Sequence, residues 1–160
     1  LIVIYRPYKV GDYIQADSHL GTVLDIQIFS TVLKTPDNKL VIVPNGSIMN
    51  GSIVNFSHQA ERRVDIIASC SYDDDIDKVK SVLTDILSND ERILSEPKPR
   101  IALSELADSS VNFIVRPWVK NADYLDVYYS LLEEIKKRFD QEGISIPYPQ
   151  SDVHIHNHSE

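Results

Sequence analysis

The chain has 160 residues, 42% apolar and 25% charged, enough to bury one core or two small ones, and this composition excludes a disordered or collagenous protein. A lone cysteine, Cys70, rules out an intrachain disulfide, and no paired Cys spacing points to zinc, so a reducing intracellular setting is expected, with Cys70 as core filler. The formal net charge of -8 arises wholly after Ser57, where twelve basic residues face twenty acidic ones; such a surface repels phosphate backbones and argues against nucleic acid as a partner.

The sequence opens with Leu1, and its one methionine is Met49, so it reads as part of something longer. Leu1 to Tyr5 is apolar but too short for a signal peptide or a span of about 20 residues. Two readings stay open: the cytoplasmic end of a spanning helix, with Arg6 and Lys9 at headgroup level, or a buried first strand of a soluble domain.

From Tyr8 to Ser57, short β-rich runs alternate with turn residues, the pattern of a small barrel or sandwich. Val10-Gly11-Asp12 reads as a turn into a strand at Tyr13 to Ala16. Gly21 to Thr35 is strand-forming, and Gly21 marks a bulge or a close backbone approach. Thr35-Pro36-Asp37-Asn38-Lys39 is a turn in which Asn tolerates the left-handed region. Leu40 to Val43 returns as an apolar strand, Pro44 ends it, and Asn45-Gly46 is the strongest local turn signal. Gly51 opens a last strand, Ser52 to Phe56.

Polar residues from Ser57 to Glu61 read as a linker. Arg63 to Ser71 then forms a strand. Asp73, Asp74, Asp75 and Asp77 precede an amphipathic helix with Ile76, Val79, Val82, Leu83, Ile86 and Leu87 on one stripe. Carboxylates suit hard cations, but aspartates at a helix N-terminus cap free N–H groups without an ion, and the Gly and distal Glu of an EF-hand loop are absent. After Pro97 and Pro99 come an extended piece, Arg100 to Leu106, and a strand, Val111 to Val119, in which Pro117 indicates an edge or bulge. A helix from Asp123 to Glu142 presents Leu125, Tyr128, Leu132, Ile135 and Phe139 on one face; Lys136, Lys137 and Arg138 suit its C-terminus, and Gly143 suits its exit. This is a β-α-β-β-α order, an α+β sandwich with helices on one sheet face.

Ile144 to Gln150, with two prolines, should be extended. Asp152 to His158 alternates, with Asp152, His154, His156 and His158 on one side. A single strand with about 7 Å between alternate residues cannot close a tetrahedral metal site, so a solvated terminal strand is expected. No nucleophile, base and orienting group recur at a spacing that would make an enzyme.

Several pieces in fixed order carry a family pattern: Arg6-Pro7-Tyr8-Lys9-Val10-Gly11-Asp12, Gly21-Thr22-Val23, Gln27-Ile28-Phe29-Ser30-Thr31, Ile42-Val43-Pro44-Asn45-Gly46 and Asn55-Phe56-Ser57. Tyr72-Asp73 with Asp75-Ile76-Asp77, and Gly143-Ile144-Ser145-Ile146-Pro147-Tyr148-Pro149-Gln150, continue it. From end to end the chain resembles the cytoplasmic part of the small-conductance mechanosensitive channel (MscS) family of bacteria. The resemblance implies residues 1–6 as the end of a pore-associated transmembrane helix, 7–57 as an Sm-like β domain, 58–147 as a ferredoxin-like α/β domain, and 148–160 as a strand and tail that form a parallel β-barrel on oligomerisation.

It further implies a homoheptamer forming a hollow cage with side portals beneath a tension-gated pore in the bacterial inner membrane. Ions and small osmolytes would pass through it during hypo-osmotic shock, and the bilayer would be met through upstream helices. Residue by residue, Tyr5, Arg6, Pro7 and Lys9 match the helix-to-cage junction, and Pro44, Asn45 and Gly46 the roof loop that approaches the pore helix. Ser57, His58, Gln59 and Arg62 match the stretch bordering the portals, and Asp152, His154 and His156 the bottom barrel. No catalytic residue, metal or cofactor is implied. Asn38-Lys39 departs from the family's hairpin glycine, and the histidine face is no family hallmark. A soluble two-domain scaffold or ligand-binding module remains the alternative.

Overall fold

In a computed structural model of the chain, residues 7–158 are described. The expectations for residues 1–6, including the junction roles of Tyr5 and Arg6, lie outside the described residues. The chain divides into two compact units, residues 1–60 and 61–160.

The first unit has strands β1 (Tyr13–Ala16), β2 (His19–Ile26), β3 (Ser30–Lys34), β4 (Leu40–Pro44) and β5 (Ile53–Asn55), with a five-residue helix α1 (Asn45–Met49) between the last two. They form one antiparallel sheet in the order β4-β3-β2-β1-β5. Side chains alternate across it, so Ile14, Ala16, Val23, Leu33 and Val43 point inward and close on Ile48 of α1. Gly21 is a close approach: a Cβ there would lie 2.8 Å from the Lys34 carbonyl oxygen. The bulge falls two residues later, between Val23 and Asp25. At the β3–β4 turn Asn38 takes φ 69°, the left-handed role expected of it.

The Asn45-Gly46 turn is corrected. Pro44, at φ -59° and ψ 134°, caps a helix that starts at Asn45. A hairpin turn is impossible because β4 and β5 lie at opposite edges of the sheet, and proline's fixed φ suits helix entry as well as strand termination.

The second unit has β6 (Glu61–Arg63), β7 (Ile66–Cys70), α2 (Ile76–Ser88), β8 (Arg100–Leu106), β9 (Val111–Arg116), β10 (Trp118–Lys120) and α3 (Tyr124–Glu142). β7, β9 and β8 make an antiparallel sheet in that order, so α2 crosses from β7 to β8 with β9 inserted between them; β6 and β10 form a separate ladder. Two strands expected to be continuous are thus each broken in two. Pro117 has no N–H to continue the ladder, and at that point the chain leaves β9, central in its sheet, to pair with β6. The partner breaks opposite it, at Val64 and Asp65, where the Val64 N–H donates to the Pro117 carbonyl at 2.8 Å.

Phe113 and Phe139, both fully buried, centre a core to which α2 contributes Val79, Val82, Leu83, Ile86 and Leu87. Ile76, expected on that stripe, is 43% exposed. The face of α3 also differs from expectation: Val127, Leu131, Ile135 and Phe139 are buried at a strict four-residue spacing, while Leu125 and Leu132 face outward at 58% and 41% exposure. The cations expected at the end of α3 are not there: its last turn holds no basic residue, and Lys136, Lys137 and Arg138 pair with Asp140, Glu133 and Asp85 instead. The cap of α2 and the exit of α3 behave as read. The Asp75 carboxylate accepts the Lys78 N–H at 3.0 Å, and Gly143, at φ 69°, ends α3 while the Ile144 N–H donates to the Phe139 carbonyl at 2.9 Å.

Beyond α3, residues 144–158 have no regular secondary structure. Ile144 is buried, the Ser145 carbonyl accepts from the Ser71 N–H at 2.9 Å, and the Gln150 N–H donates to the Ser109 hydroxyl at 3.0 Å. Residues 152–158, expected as a strand, find no ladder partner among the described residues.

Candidate functional site

Two asparagines organise the loops of the first unit. Asn45 opens α1, and its amide group donates to the carbonyls of Gln27 and Ile28 at 2.9 and 3.1 Å. Its side-chain oxygen accepts from the buried Thr31 hydroxyl at 2.8 Å, and its backbone N–H donates to the Phe29 carbonyl at 2.8 Å. Here is why a strong turn former sits in a helix: its side chain is spent on holding the β2–β3 loop. That loop presents Ile28 and Phe29 at 86% and 84% exposure. Gly46, the next residue, has open space where a Cβ would lie and no positive φ, so among the described residues no contact or strain calls for glycine there.

Asn55, at the end of β5, is the second hub. Its amide donates to the Pro7 carbonyl at 3.0 Å and to the buried Asp12 carboxylate at 2.9 Å. Its oxygen accepts the N–H groups of Ser57 and His58 at 2.9 and 3.0 Å. Asp12 also accepts from the Lys9 N–H at 3.1 Å, and the Ser57 hydroxyl accepts from the Tyr13 N–H at 2.9 Å. Pro7, Lys9, Ser57 and His58, read from sequence as parts of two different sites, therefore line one cleft of about 430 Å³. Tyr8 joins this hub to the other through a 2.8 Å hydrogen bond between its hydroxyl and that of Thr31. Sequence reasoning missed Asp12, Thr31 and Asn55 as site residues; the available signal was a polar residue at a position whose strand parity points inward, as at Thr31.

The remaining residues are not gathered there. Gln59 is exposed, Arg62 stacks on the Tyr124 ring at 3.6 Å within the second unit, and Asp152, His154 and His156 are exposed. The aspartate cluster is engaged by backbone: besides the Asp75 cap, Asp74 accepts from the N–H groups of Ser71 and Ser145 at 2.9 and 3.1 Å. Cys70 is fully buried, which raises its thiol pKa, with the Asp74 charge adding to the effect. Asp90 is held below the usual carboxylate range by the Arg92 guanidinium, which also reaches Ser130 of α3 at 2.7 Å. Among the described residues, no helix is long and apolar enough to cross a membrane.

Fold and site together define a class: a two-unit β and α+β module whose polar clusters tie loops together. Residues 1–58 match the family model for the mechanosensitive ion channel beta-domain, and residues 64–146 that for the MscS C-terminal region. The chain belongs to the MscS family of mechanosensitive ion channels. It is 48% identical over 156 residues to the small-conductance mechanosensitive channel of Edwardsiella ictaluri, covering 98% of this chain and 54% of that protein. The closed-state crystal structure of Helicobacter pylori MscS is 32% identical with a TM-score of 0.90, over 97% of this chain and 62% of that one. Arabidopsis thaliana MSL1, at 22% identity and a TM-score of 0.72 over 89% of this chain and 54% of that one, shares the fold. The chain spans about half the length of the curated relatives it matches.

Proposed function

We propose that the chain is the cytoplasmic cage portion of a tension-gated channel of the bacterial inner membrane, which releases ions and small osmolytes under hypo-osmotic shock. Seven copies form the cage. The observation that carries this reading is the open sheet of the first unit: its two edges, β4 and β5, are different strands, each with a sheet neighbour on one side only among the described residues. Pairing β4 of one copy with β5 of the next is a heterologous contact, the kind that closes into a ring. Leu40, Ile42 and Met49, at 66%, 68% and 72% exposure, supply apolar surface to cover beside that edge.

Gly46 supports a roof role for residues 44–46, since a bare backbone with open space above it suits the approach of a pore helix. The hub at Asn55 supports transmission from Tyr5, Arg6, Pro7 and Lys9 to the portal stretch at Ser57, His58, Gln59 and Arg62. Residues 152–158 find their ladder partners in neighbouring copies, and seven such strands close as a parallel barrel with Asp152, His154 and His156 on one face.

Patch recording of the complete protein in liposomes under suction tests the reading. Stretch-activated current is expected, and Gly46→Val should raise the tension needed for opening while shifting the chain's own unfolding free energy by less than about 0.5 kcal/mol. Absence of stretch-activated current overturns the proposal.

A further inference from the structure

The sheet β7-β9-β8 buries one face under its helices, and the other carries a charge imbalance that the chain does not neutralise. Val111, Phe113 and Val115 of β9 point into the core, so Asn112, Ile114 and Arg116 point away. Arg116 lies directly opposite Arg100 of β8. Residues paired in this way share a face, with Cα atoms about 4.5 to 5.5 Å apart, and like charges so placed are destabilising.

The one carboxylate paired with Arg116 among the described residues is already committed. Asp65 receives a two-pronged bond from Arg63, Nε at 2.6 Å and Nη2 at 2.9 Å. Arg116 Nε stands 3.8 Å from the same carboxylate, beyond hydrogen-bond distance. That Nε is buried and has no acceptor, and Arg100 has no ion-pair partner among the described residues. Two guanidinium groups thus share one carboxylate, and Arg100 stands across from the second of them on the neighbouring strand, on a chain whose net charge is -8. A buried donor without an acceptor is costly and uncommon in a folded protein.

We propose that Arg63, Arg100 and Arg116 form a binding site for a small doubly charged oxyanion, phosphate or a dicarboxylate. The guanidinium fork matches the oxygen geometry of either, and two forks facing each other across adjacent strands hold one such group between them. The local excess of two positive charges sets the preference for a dianion. Size follows from charge as well: the acidic chain repels a nucleic-acid backbone, while a small anion meets only the local field. The site stands apart from the channel reading, since binding is measured on the protein without any current.

The test is titration of the protein with sodium phosphate and with glutarate at constant ionic strength, followed through the arginine Nε–Hε signals in a proton–nitrogen spectrum. A saturable shift of the Arg116 signal is expected from at least one of the two, with the tighter ligand identifying the class. Arg100→Gln removes a charge, and Arg116→Lys keeps the charge but loses the fork; each should weaken binding roughly tenfold, the scale of one charge-assisted hydrogen bond. No saturable shift, an equal shift from chloride, or unchanged affinity in both variants overturns the site.

Discussion

At the scale of single residues, the loops of the first unit are held by side chains that serve backbone. Asn45 satisfies two carbonyls and one hydroxyl at once, so Asn45→Ala should cost about 2 kcal/mol in chemical denaturation, the sum of several modest hydrogen bonds at a partly exposed site. Asn45→Asp should cost as much, because a carboxylate cannot donate to the two carbonyls. The glycines divide sharply. A methyl group at Gly21 meets the Lys34 carbonyl at 2.8 Å, so Gly21→Ala should destabilise by about 1–3 kcal/mol, as overpacking does. Gly46→Ala meets nothing, and its effect should be confined to the assembled protein. Thermal unfolding of the two variants side by side checks the contrast.

Among the elements, the joint between α2 and α3 is built from charge as well as apolar packing. Arg92 holds Asp90 through bonds of 2.9 and 2.8 Å and reaches Ser130 of α3, while Arg138 of α3 reaches Asp85 of α2 at 2.8 Å. Because Asp90 has a lower pKa folded than unfolded, its contribution is complete above the unfolded value of about 3.9 and is lost as pH falls through the folded one. Arg92→Gln should therefore remove about 1 kcal/mol at neutral pH, a figure discounted for the arginine's exposure. It should also flatten the stability profile below roughly pH 4; urea melts at pH 7, 4 and 2.5 would reveal a steep wild-type loss that the variant lacks. Element ends were legible from sequence where local chemistry decides them: the Asp75 cap, the Gly143 exit, the left-handed Asn38. The phase of α3 was not legible. Leu125 and Leu132 are as apolar as the residues that became buried, and only the sheet beneath selects Val127 and Leu131. Pro117 announced a break, but the change of ladder partner depends on β6, about fifty residues away in sequence. Asn45 misled for a similar reason, since its local preference yields to bonds with a loop some seventeen residues earlier.

On the scale of the whole molecule, the proposed assembly makes a prediction about salt. An acidic chain of net charge -8 resists self-association at low ionic strength, and screening lengths shrink to about 8–10 Å near 0.1–0.15 M salt. Ring formation, followed by sedimentation or native mass spectrometry, should therefore strengthen with both concentration and salt; a chain that stays monomeric throughout contradicts edge-to-edge closure. The family could be read from sequence because its turn motifs keep their order, whereas the proposed oxyanion site could not: Arg63, Arg100 and Arg116 are apart along the chain, and only strand register sets Arg100 opposite Arg116. The Asn55 hub has one more consequence. A single side chain grips the Pro7 carbonyl at the start of the β unit and the N–H groups of Ser57 and His58 at its finish, so the unit's entrance and exit stand side by side. Evolution can treat such a unit as a cassette, grafting it into another polypeptide between Pro7 and His58 without displacing what flanks it.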